Sequence, residues 1–300
     1  MDPDYPLFVR IVETGSLSSA GRDMHLSPAA VSKRLTRLEE RLGARLFQRT
    51  TRRLNLTGAG QQFYQDVTAI LALAEAAEAK IKGMANVPRG RLTIAAPTSF
   101  GRAHVVPHLP GLMEQHPEIE LELQLDDEYT DLMASNVDVA VRISAKPPGN
   151  FVSRKLAPNL RVLCASPAYL EKHGTPGRLS DLQHHHLLAA SHQTPWRLVS
   201  NGRSRSVPVL SRVLTNSSDV VRELAIAGSG IALRSTWDIS EDIRHGRLVR
   251  VLDDWSGTGE VEIHAVYLRT PYVPAAVTAF VEFMARVYSP GPYWDELLPV

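Results

Sequence analysis

The sequence has little cysteine and no long apolar run, and each absence excludes a class of protein. Its single cysteine, Cys164, cannot form an intramolecular disulfide or supply a cysteine-rich metal site. No apolar run approaches the roughly 18 residues that a membrane-spanning helix needs. The first 30 residues contain acids and no uninterrupted apolar core, so we expect no signal peptide, a cytoplasmic protein and no membrane contact.

The short motifs of several enzyme classes are also missing. The sequence has no GxSxG nucleophile elbow, no GxxxxGK phosphate loop, no HExxH zinc motif and no GxGxxG after a predicted strand. Gly228 and Gly230 only mark the end of a predicted helix. We therefore expect a protein that is not an enzyme. An exported solute-binding protein is the other alternative, but it would need the signal sequence that we do not expect here.

The charge is small overall but unevenly distributed. The formal net charge is +1, yet residues 1–90 carry 13 Lys and Arg against 9 Asp and Glu, whereas residues 91–300 carry 20 against 23. Nucleic acid would bind at the basic N-terminal end. A chain of 300 residues is long enough for two or three domains with separate cores.

Residues 27–42, SPAAVSKRLTRLEERL, predict an amphipathic helix with a basic outer face. Ser27 is a suitable N-cap, and Pro28 suits the first helical position. Four apolar residues recur at helical spacing and belong in a core: Val31, Leu35, Leu38 and Leu42. Taken alone, such a segment is also typical of a solvated surface helix. The candidate DNA-binding residues of this segment are Ser27, Pro28, Ala29, Ser32, Lys33, Arg34 and Arg37.

The neighbouring segments favour a DNA-binding role for this helix. Two shorter helices are predicted before it, one over residues 7–13 and one capped by Ser18 or Ser19. Three helices of this kind form a helix-turn-helix whose last helix lies in the major groove. Residues 44–57 then predict a two-stranded wing with a basic tip, which can enter the minor groove or contact phosphates. The candidate DNA contacts on the tip are Thr50, Arg52 and Arg53.

The run FVRIVETGSLSSAGRDMHLSPAAVSKRLTRLEERLGARLFQRTTRRLNLTGAG resembles the N-terminal domain of LysR-type transcriptional regulators. One departure from the family pattern is that Pro28 and Ala29 follow the capping serine, where many members have Gln and then Pro. The resemblance implies an all-α winged helix-turn-helix domain over residues 1–57. It also implies double-stranded promoter DNA as a partner, with RNA polymerase as a further candidate.

Residues 57–85 predict one long helix, with a break at Gly83, Pro88 and Gly90. Its apolar residues alternate at spacings of four and three, which is a heptad seam that needs a partner. The helix could lie on its own domain, but we favour dimerisation, with residues 58–90 as linker helix and hinge. A dimer would present two recognition helices to an inverted repeat. The candidate dimerisation residues are Phe63, Val67, Ile70, Ala74, Ala77 and Ile81.

From residue 91 short apolar strands alternate with helices, which predicts an α/β domain with parallel pairing. Strands are predicted at 91–96, 119–125, 137–143, 161–165, 196–199, 206–209, 211–215, 231–233, 248–251 and 262–268. Helices are predicted at 103–115, 167–172, 217–227 and 274–287.

The strands at 160–164 and 264–268 are candidates for crossing between two lobes. They would divide residues 91–300 into lobe I (91–161 and 267–300) and lobe II (162–266). This layout resembles the effector domain of LysR-type regulators, which is similar to periplasmic substrate-binding proteins.

A ligand would bind where strands of the α/β domain end and helices begin, because helix N-termini supply unpaired N–H groups there. The family resemblance implies an effector in the cleft between lobes, and a small carboxylate is the expected ligand. Arg142 could pair with that carboxylate or with Asp138 or Asp131. The other candidates, which could also be simple N-caps, are Thr98, Ser99, Phe100, Asn216, Ser217 and Ser218.

We expect no metal and no cofactor. Neighbouring histidines cannot all converge on one ion, and no Cys or acid lies at a suitable spacing from them: His184, His185, His186 and His192. We expect His104 and His108 to be a pair on a surface helix rather than a pair that binds ligand or senses pH. We expect Cys164 to be a buried thiol rather than a redox sensor.

Overall fold

The computed structural model describes residues 2–49, 54–81, 87–127, 137–145, 151–270 and 273–296. Its elements form an N-terminal helical domain with a small wing, a long helix, and two α/β lobes, which confirms the predicted fold class. Each of the three folded units has its own hydrophobic core. Within the described residues, no helix has the length and apolar character needed to cross a bilayer.

The N-terminal domain packs three helices against a two-stranded wing. Its elements are α1 (Asp4–Thr14), α2 (Leu17–Asp23), α3 (Pro28–Leu42), β1 (Phe47–Arg49) and β2 (Leu54–Leu56). Phe8 and Ile11 of α1 are fully buried beside Val31 of α3. The prediction that Ser18 or Ser19 caps α2 is wrong. Extended Ser16 is the N-cap, because its hydroxyl accepts the N–H of Ser19.

Helix α3 confirms the helix predicted over residues 27–42. The Ser27 hydroxyl accepts the Ala30 N–H at 3.2 Å, and Pro28 occupies the first turn. The helix ends at Gly43, whose φ of +66° is a conformation that only glycine adopts without strain. Leu42, which we placed on the core side, is 37% exposed.

The acid Glu39 takes a place on the buried side of α3. Its side chain joins the helix to the wing, because Oε1 accepts the N–H groups of Leu46 and Phe47 at 2.8 and 3.3 Å. Its Oε2 accepts a hydrogen bond from Arg45 at 2.8 Å. Desolvation opposes ionisation, but these hydrogen bonds outweigh it and lower the pKa of Glu39. The carboxylate is therefore a structural part of the domain.

The long helix α4 (Gly58–Ile81) begins on the N-terminal domain and then leaves it. Thr57 caps the helix, since its hydroxyl accepts the Gly60 N–H at 2.9 Å. Phe63 packs against Phe8 of α1 with ring centroids 5.1 Å apart. Val67 is fully buried in its own chain, so its assignment to a dimer contact is wrong. The first half of the seam covers its own domain.

The seam residues further along α4 are more open. Ile70 is 45% exposed, Ala74 is partly exposed and Ala77 is exposed. The side chain of Ile81 lies outside the described part of the chain.

The rest of the chain forms two sheets with helices on their faces. The strands are β3 (Gly90–Ala96), β4 (Ile119–Leu125), β5 (Val139–Ser144), β6 (Phe151–Pro158), β7 (Arg161–Ala165), β8 (Leu187–Leu188), β9 (Trp196–Ser200), β10 (Arg203–Val207), β11 (Ile231–Ser235), β12 (Val249–Arg250), β13 (Ser256–Gly257) and β14 (Glu262–Leu268). The helices are α5 (Thr98–Phe100), α6 (Leu109–Gln115), α7 (Pro167–His173), α8 (Ser218–Ile226), α9 (Thr236–Arg244) and α10 (Ala275–Val287).

Strand order defines the two lobes and corrects their predicted boundaries. The lobe I sheet has the order β4-β3-β5-β14-β6, and the lobe II sheet has the order β10-β9-β13-β7-β11-β8 with β12 beside β7. Strand β14 lies entirely in lobe I, where it pairs with β5 and β6. The chain therefore crosses between lobes at residues 159–160 and 258–261. The predictions of crossing strands at 160–164 and 264–268 are wrong, because β7 lies within the lobe II sheet and β14 within the lobe I sheet. The predicted lobe II boundary at 266 is wrong for the same reason.

Other differences from the predicted elements have local causes. Strand β3 pairs in parallel with both of its neighbours, whereas β14 pairs antiparallel with β5 and β6, so the lobe I sheet is mixed. Residues 211–215 form no strand, and helix α9 was not predicted. The predicted helix 103–115 begins earlier, at Thr98, and passes through π and 3-10 turns near Pro107 and Pro110 before α6.

Helix α9 joins the two lobes. Ile239 packs in a core of lobe II, whereas Trp237 lies in the core of lobe I. The Trp237 indole donates to Asn159 Oδ1 at 3.0 Å, and its carbonyl lies 2.8 Å from His104 Nε2. His104 is therefore buried, and desolvation lowers its pKa to about 4, against the raising effect of the Trp237 carbonyl. The prediction of a surface histidine at residue 104 is wrong.

Two glycines of α4 give a matched test of how closely the helix approaches the wing. A Cβ on Gly60 would lie 2.0 Å from the Leu46 carbonyl oxygen, whereas a Cβ on Gly58 meets nothing within 4 Å. We expect Gly60→Ala to destabilise the N-terminal domain by about 1–3 kcal/mol through overpacking. Gly58→Ala should be neutral or stabilising by up to ~1 kcal/mol. Thermal unfolding of both variants checks this, and equal melting temperatures would contradict so close a contact between α4 and the wing.

The role of Glu39 predicts a pH-dependent effect. Its lowered pKa means that the ionised carboxylate stabilises the fold above the ordinary Glu range, and that this contribution is lost as the pH falls through the lowered value. We expect Glu39→Gln to cost roughly 1.5–3 kcal/mol at pH 7, the scale of hydrogen bonds to a charged group. The deficit should shrink towards pH 4 in thermal unfolding. The exposed neighbour Glu40→Gln is the control, and a deficit independent of pH would argue against this role.

Candidate functional site

The outer face of α3 presents the predicted DNA-binding residues. Ala29, Lys33 and Arg37 are exposed and lie four residues apart, so they share one side of the helix. Ser27 and Pro28 are exposed at its start, and Ser32 is partly exposed. The face therefore carries two cations beside small and hydroxyl side chains, a surface that fits a groove with phosphates on its rims.

Arg34 has a different environment from its neighbours on α3. Its Nε donates to Asp4 Oδ1 at 2.5 Å, and its Nη2 donates to the Pro3 carbonyl at 2.6 Å. These bonds hold α3 against the start of α1 and compensate the charge of the guanidinium. The structure thus gives Arg34 a contact within the domain, and its direct contact with DNA stays a prediction.

The wing lies next to α3. Strands β1 and β2 pair antiparallel, with Arg49 opposite Leu54, so the chain reverses at a tip between them. The candidate residues of that tip, Thr50, Arg52 and Arg53, lie outside the described residues.

A cleft of about 750 Å³ lies between the two lobes. Four of the predicted effector residues line it: Ser99, Arg142, Asn216 and Ser218. Lobe I contributes the carboxyl ends of β3 and β4, and lobe II contributes β11 and the start of α8. The expectation that the two strand-to-helix junctions face one cavity is therefore confirmed as geometry.

Three predicted effector residues do not line the cleft. Phe100 is fully buried in the lobe I core, where its ring packs edge-on against Trp237 at 5.2 Å. The backbone N–H of Thr98 donates to Asp127 Oδ1 at 2.8 Å. Ser217 is the N-cap residue of α8 without a side-chain cap bond. Residues next to them in the sequence line the cleft instead.

Ser99 combines burial with an unused hydroxyl. The residue is 6% exposed, and its Oγ has no hydrogen-bond partner within the part of the chain that the structure describes. Ser218 differs, because Gln193 donates to its hydroxyl at 2.7 Å. A buried hydroxyl without a partner costs free energy, and a ligand in the cleft would supply the missing bond.

The cleft also contains polar residues that the sequence analysis missed: Asp126, Asp127, Asn159, Arg161, Ser191, Gln193 and Arg234. Asp126 and Asp127 follow β4, so the rule that ligands bind at strand ends could have found them. Arg161 is the first residue of β7, and a rule about the carboxyl ends of strands does not apply to that position. Asp138, a predicted partner of Arg142, accepts the Thr93 N–H at 2.8 Å instead, and Asp131 lies outside the described residues.

The other potentially reactive side chains of the sequence are involved in packing and hydrogen bonds within the fold. Cys164 is buried as predicted, and desolvation raises its pKa to about 12, which disfavours the thiolate. The Tyr169 ring stacks on His173, and its hydroxyl oxygen lies 3.1 Å from His185 Nδ1. Across the described ranges no three His, Cys, Asp or Glu side chains are arranged to hold a metal ion.

Both parts of the chain match known family models. The model described as "Bacterial regulatory helix-turn-helix protein, lysR family" matches residues 4–61, and the "LysR substrate binding domain" matches residues 85–289. The chain is 32% identical over 286 residues to the HTH-type transcriptional activator TtdR of Escherichia coli K12, covering 94% of this chain and 92% of TtdR. It is 33% identical over 290 residues to the HTH-type transcriptional regulator DmlR of the same strain, covering 95% and 94%.

Solved structures of full-length regulators have the same architecture. The Vibrio cholerae virulence activator AphB, described as a member of the LTTR protein family, is similar with a TM-score of 0.59 and 29% identity, covering 95% of this chain and 98% of AphB. CrgA, a LysR-type transcriptional regulator from Neisseria meningitidis, gives a TM-score of 0.60 and 28% identity, covering 95% and 98%. With both domains matched and the helix-turn-helix and two-lobe architecture in place, this chain belongs to the LysR family of DNA-binding transcriptional regulators.

Proposed function

We propose that this regulator binds imperfect inverted repeats in promoter DNA as a dimer or tetramer and responds to a small carboxylate effector in the inter-lobe cleft. The observation that carries the proposal is the exposed basic face of α3 beside the wing, on a chain whose cleft contains a buried hydroxyl that no described residue bonds. On the promoter, RNA polymerase is the further partner. The proposal excludes catalysis on the effector.

In the DNA complex, α3 lies in the major groove and the wing tip lies over the adjacent minor groove. Lys33 and Arg37 contact phosphates or base edges, and Ala29 lies close enough for apolar contact with a thymine methyl. The domain also uses Ser27, Pro28, Ser32 and the wing residues Thr50, Arg52 and Arg53. The Arg34 bonds to α1 support a role in fixing the angle of α3.

The dimer forms through the second half of α4. Ile70 and Leu73 are 45% and 56% exposed on this helix, which is more apolar surface than a solvated helix needs to show. Ala74 and Ala77 lie on the same half, and their small side chains allow two helices to approach closely. Ile81 continues the seam. Two chains joined in this way present two recognition helices to two half-sites.

The effector acts by closing the cleft. Ser99 and Arg142 on lobe I and Asn216 and Ser218 on lobe II line opposite walls, so a ligand that contacts both favours a closer arrangement of the lobes. Such a ligand changes operator binding only if it binds the two arrangements with different affinity. Linkage then requires operator DNA to change the affinity for the effector by the same factor.

The DNA-binding face predicts the behaviour of one double variant. We expect Lys33→Ala combined with Arg37→Ala to weaken binding to an operator selected by the wild-type chain from a random duplex library. If both cations contact phosphates, the slope of log affinity against log salt should fall by about 2. Gel shifts over a range of salt concentrations measure this. Arg178→Ala in lobe II, exposed and far from α3, is the control, and wild-type affinity in the double variant would overturn the docking model.

The exposed half of α4 predicts the oligomeric state. We expect Ile70→Glu to raise the dimer dissociation constant by at least about tenfold, because a carboxylate would be buried without a partner. Sedimentation velocity across a range of chain concentrations measures it. Leu210→Glu, at a residue that is 93% exposed on lobe II, is the matched control. An Ile70→Glu chain that associates like the wild type would place the dimer contact elsewhere.

A further inference from the structure

Arg161 is a cation of the cleft lining that has no carboxylate partner among the described residues. It is the first residue of β7, at the crossing between the lobes, and its partly buried side chain lines the cavity. Its guanidinium makes one long hydrogen bond, from Nη2 to the Leu233 carbonyl at 3.4 Å. An arginine has five N–H donors, and within the described ranges no Asp or Glu pairs with this one.

The neighbouring arginine of the cleft shows the contrast. Arg234 is more deeply buried, but its Nε and Nη2 both donate to Asp238 Oδ2, at 2.8 and 2.5 Å. That pair is complete within lobe II. Desolvation and the nearby charge of Arg234 lower the pKa of Arg161 to about 10, so Arg161 stays a cation at neutral pH. A desolvated cation beside a second cation is unfavourable until an anion joins it.

The fold holds the Arg161 side chain in this position. Its stem crosses Gly257 of β13, where an added Cβ would lie 2.8 Å from Arg161 Cβ and 3.4 Å from its Cδ. Any larger residue at 257 would push the stem away. Packing around a side chain that has only one weak hydrogen bond therefore keeps the guanidinium at the cavity.

Lobe I contributes two carboxylates to the cleft besides the cation Arg142. Asp126 and Asp127 line the cleft where β4 ends, near the unpartnered hydroxyl of Ser99. A ligand in the cleft thus meets both hydrogen-bond donors, such as Arg161, and carboxylate acceptors. A plain carboxylate uses only the donors, whereas a carboxylate with a neighbouring hydroxyl or ammonium group uses both kinds of group.

We propose that Arg161, positioned by Gly257, binds the carboxylate of the effector, and that the effector also carries a hydroxyl or ammonium group facing Asp126 and Asp127. This inference rests on the proposed effector role of the cleft. It assigns the carboxylate-binding role to Arg161 in addition to Arg142, the cation that the sequence indicated. The shared chemistry of the ligand is a 2-hydroxy or 2-amino acid.

The test compares acids with their neutral amides on the full-length chain. The probes are 2-hydroxy acids from glycolate to phenyllactate, 2-amino acids from glycine to phenylalanine, and the corresponding amides. Thermal shift identifies the acids that stabilise the wild-type chain, and calorimetry gives their dissociation constants. We expect at least one acid to bind and its amide to bind much more weakly, and the acid series that binds identifies the second group as hydroxyl or ammonium.

The variants separate binding from folding. Arg161→Gln should weaken the acid by roughly 10- to 100-fold, Arg161→Lys by less, and Gly257→Ala in the same direction as Arg161→Gln. The unliganded melting temperature of Arg161→Gln should be unchanged or higher, because a desolvated cation has been removed. Arg178→Gln, an exposed arginine of lobe II outside the cleft, should bind the acid like the wild type.

Two results would overturn the inference. An Arg161→Gln chain that binds the acid with wild-type affinity excludes Arg161, and a wild-type chain that binds no acid of either series excludes this ligand class. Operator binding is measured on the same unliganded chains, so that failure of the proposed function can be distinguished from failure of the Arg161 inference. A wild-type chain that binds acids through Arg161 but binds no duplex contradicts the proposed function, whereas one that binds its operator without any dependence of acid binding on Arg161 contradicts only this inference.

Discussion

The insertion of Trp237 into lobe I is the constraint on which the arrangement of the two lobes depends. Its helix belongs to lobe II, but its ring packs in the lobe I core and its indole N–H bonds to Asn159 at the crossing between lobes. Its carbonyl also lies beside buried His104. One side chain therefore has contacts in both halves of the α/β domain, and it also lines the cleft between them.

Buried charge is treated in two ways in this molecule, and the difference separates structural from functional positions. Glu39 and Arg234 are buried with complete hydrogen-bonded partners, and they hold a wing and a helix in place. Partly buried Arg161 and buried Ser99 lie at the cleft with donors that the described residues do not use. Unsatisfied polar groups cost stability, and a ligand in the cleft could supply hydrogen bonds to these two side chains.

The N-terminal domain separates structural from free side chains in the same way. Arg34 has the sequence position of a DNA contact, but it is bound to Asp4 and fixes the angle of α3. Lys33 and Arg37 remain outward on that fixed helix. The first half of α4 is occupied by packing on α1, and Val67 shows this most clearly. Further along the helix, Ile70 and Leu73 are 45% and 56% exposed. The described apolar side chains of α4 thus pass from burial on their own domain to exposure.

Local sequence determined the elements whose signals are complete within a few residues. Ser27, Pro28 and the spacing of Val31 and Leu35 were enough for α3, because capping and helical periodicity depend on neighbours along the chain. Alternation and apolar runs likewise predicted β3, β4 and β14. They did not predict the sheet that β14 joins, because strand pairing depends on residues more than 100 positions away.

The tertiary structure alone decided which side chains of these elements have a charged partner within the fold. The sequence determined that an arginine stands at 34, at 142, at 161 and at 234, but it did not determine which groups each one meets in the folded chain. Folding brings Asp4 to Arg34 and leaves Arg161 over Gly257 without a carboxylate among the residues that the structure describes. Burial and partner distance are properties of the packed chain, and they separate a structural cation from one that can bind an effector.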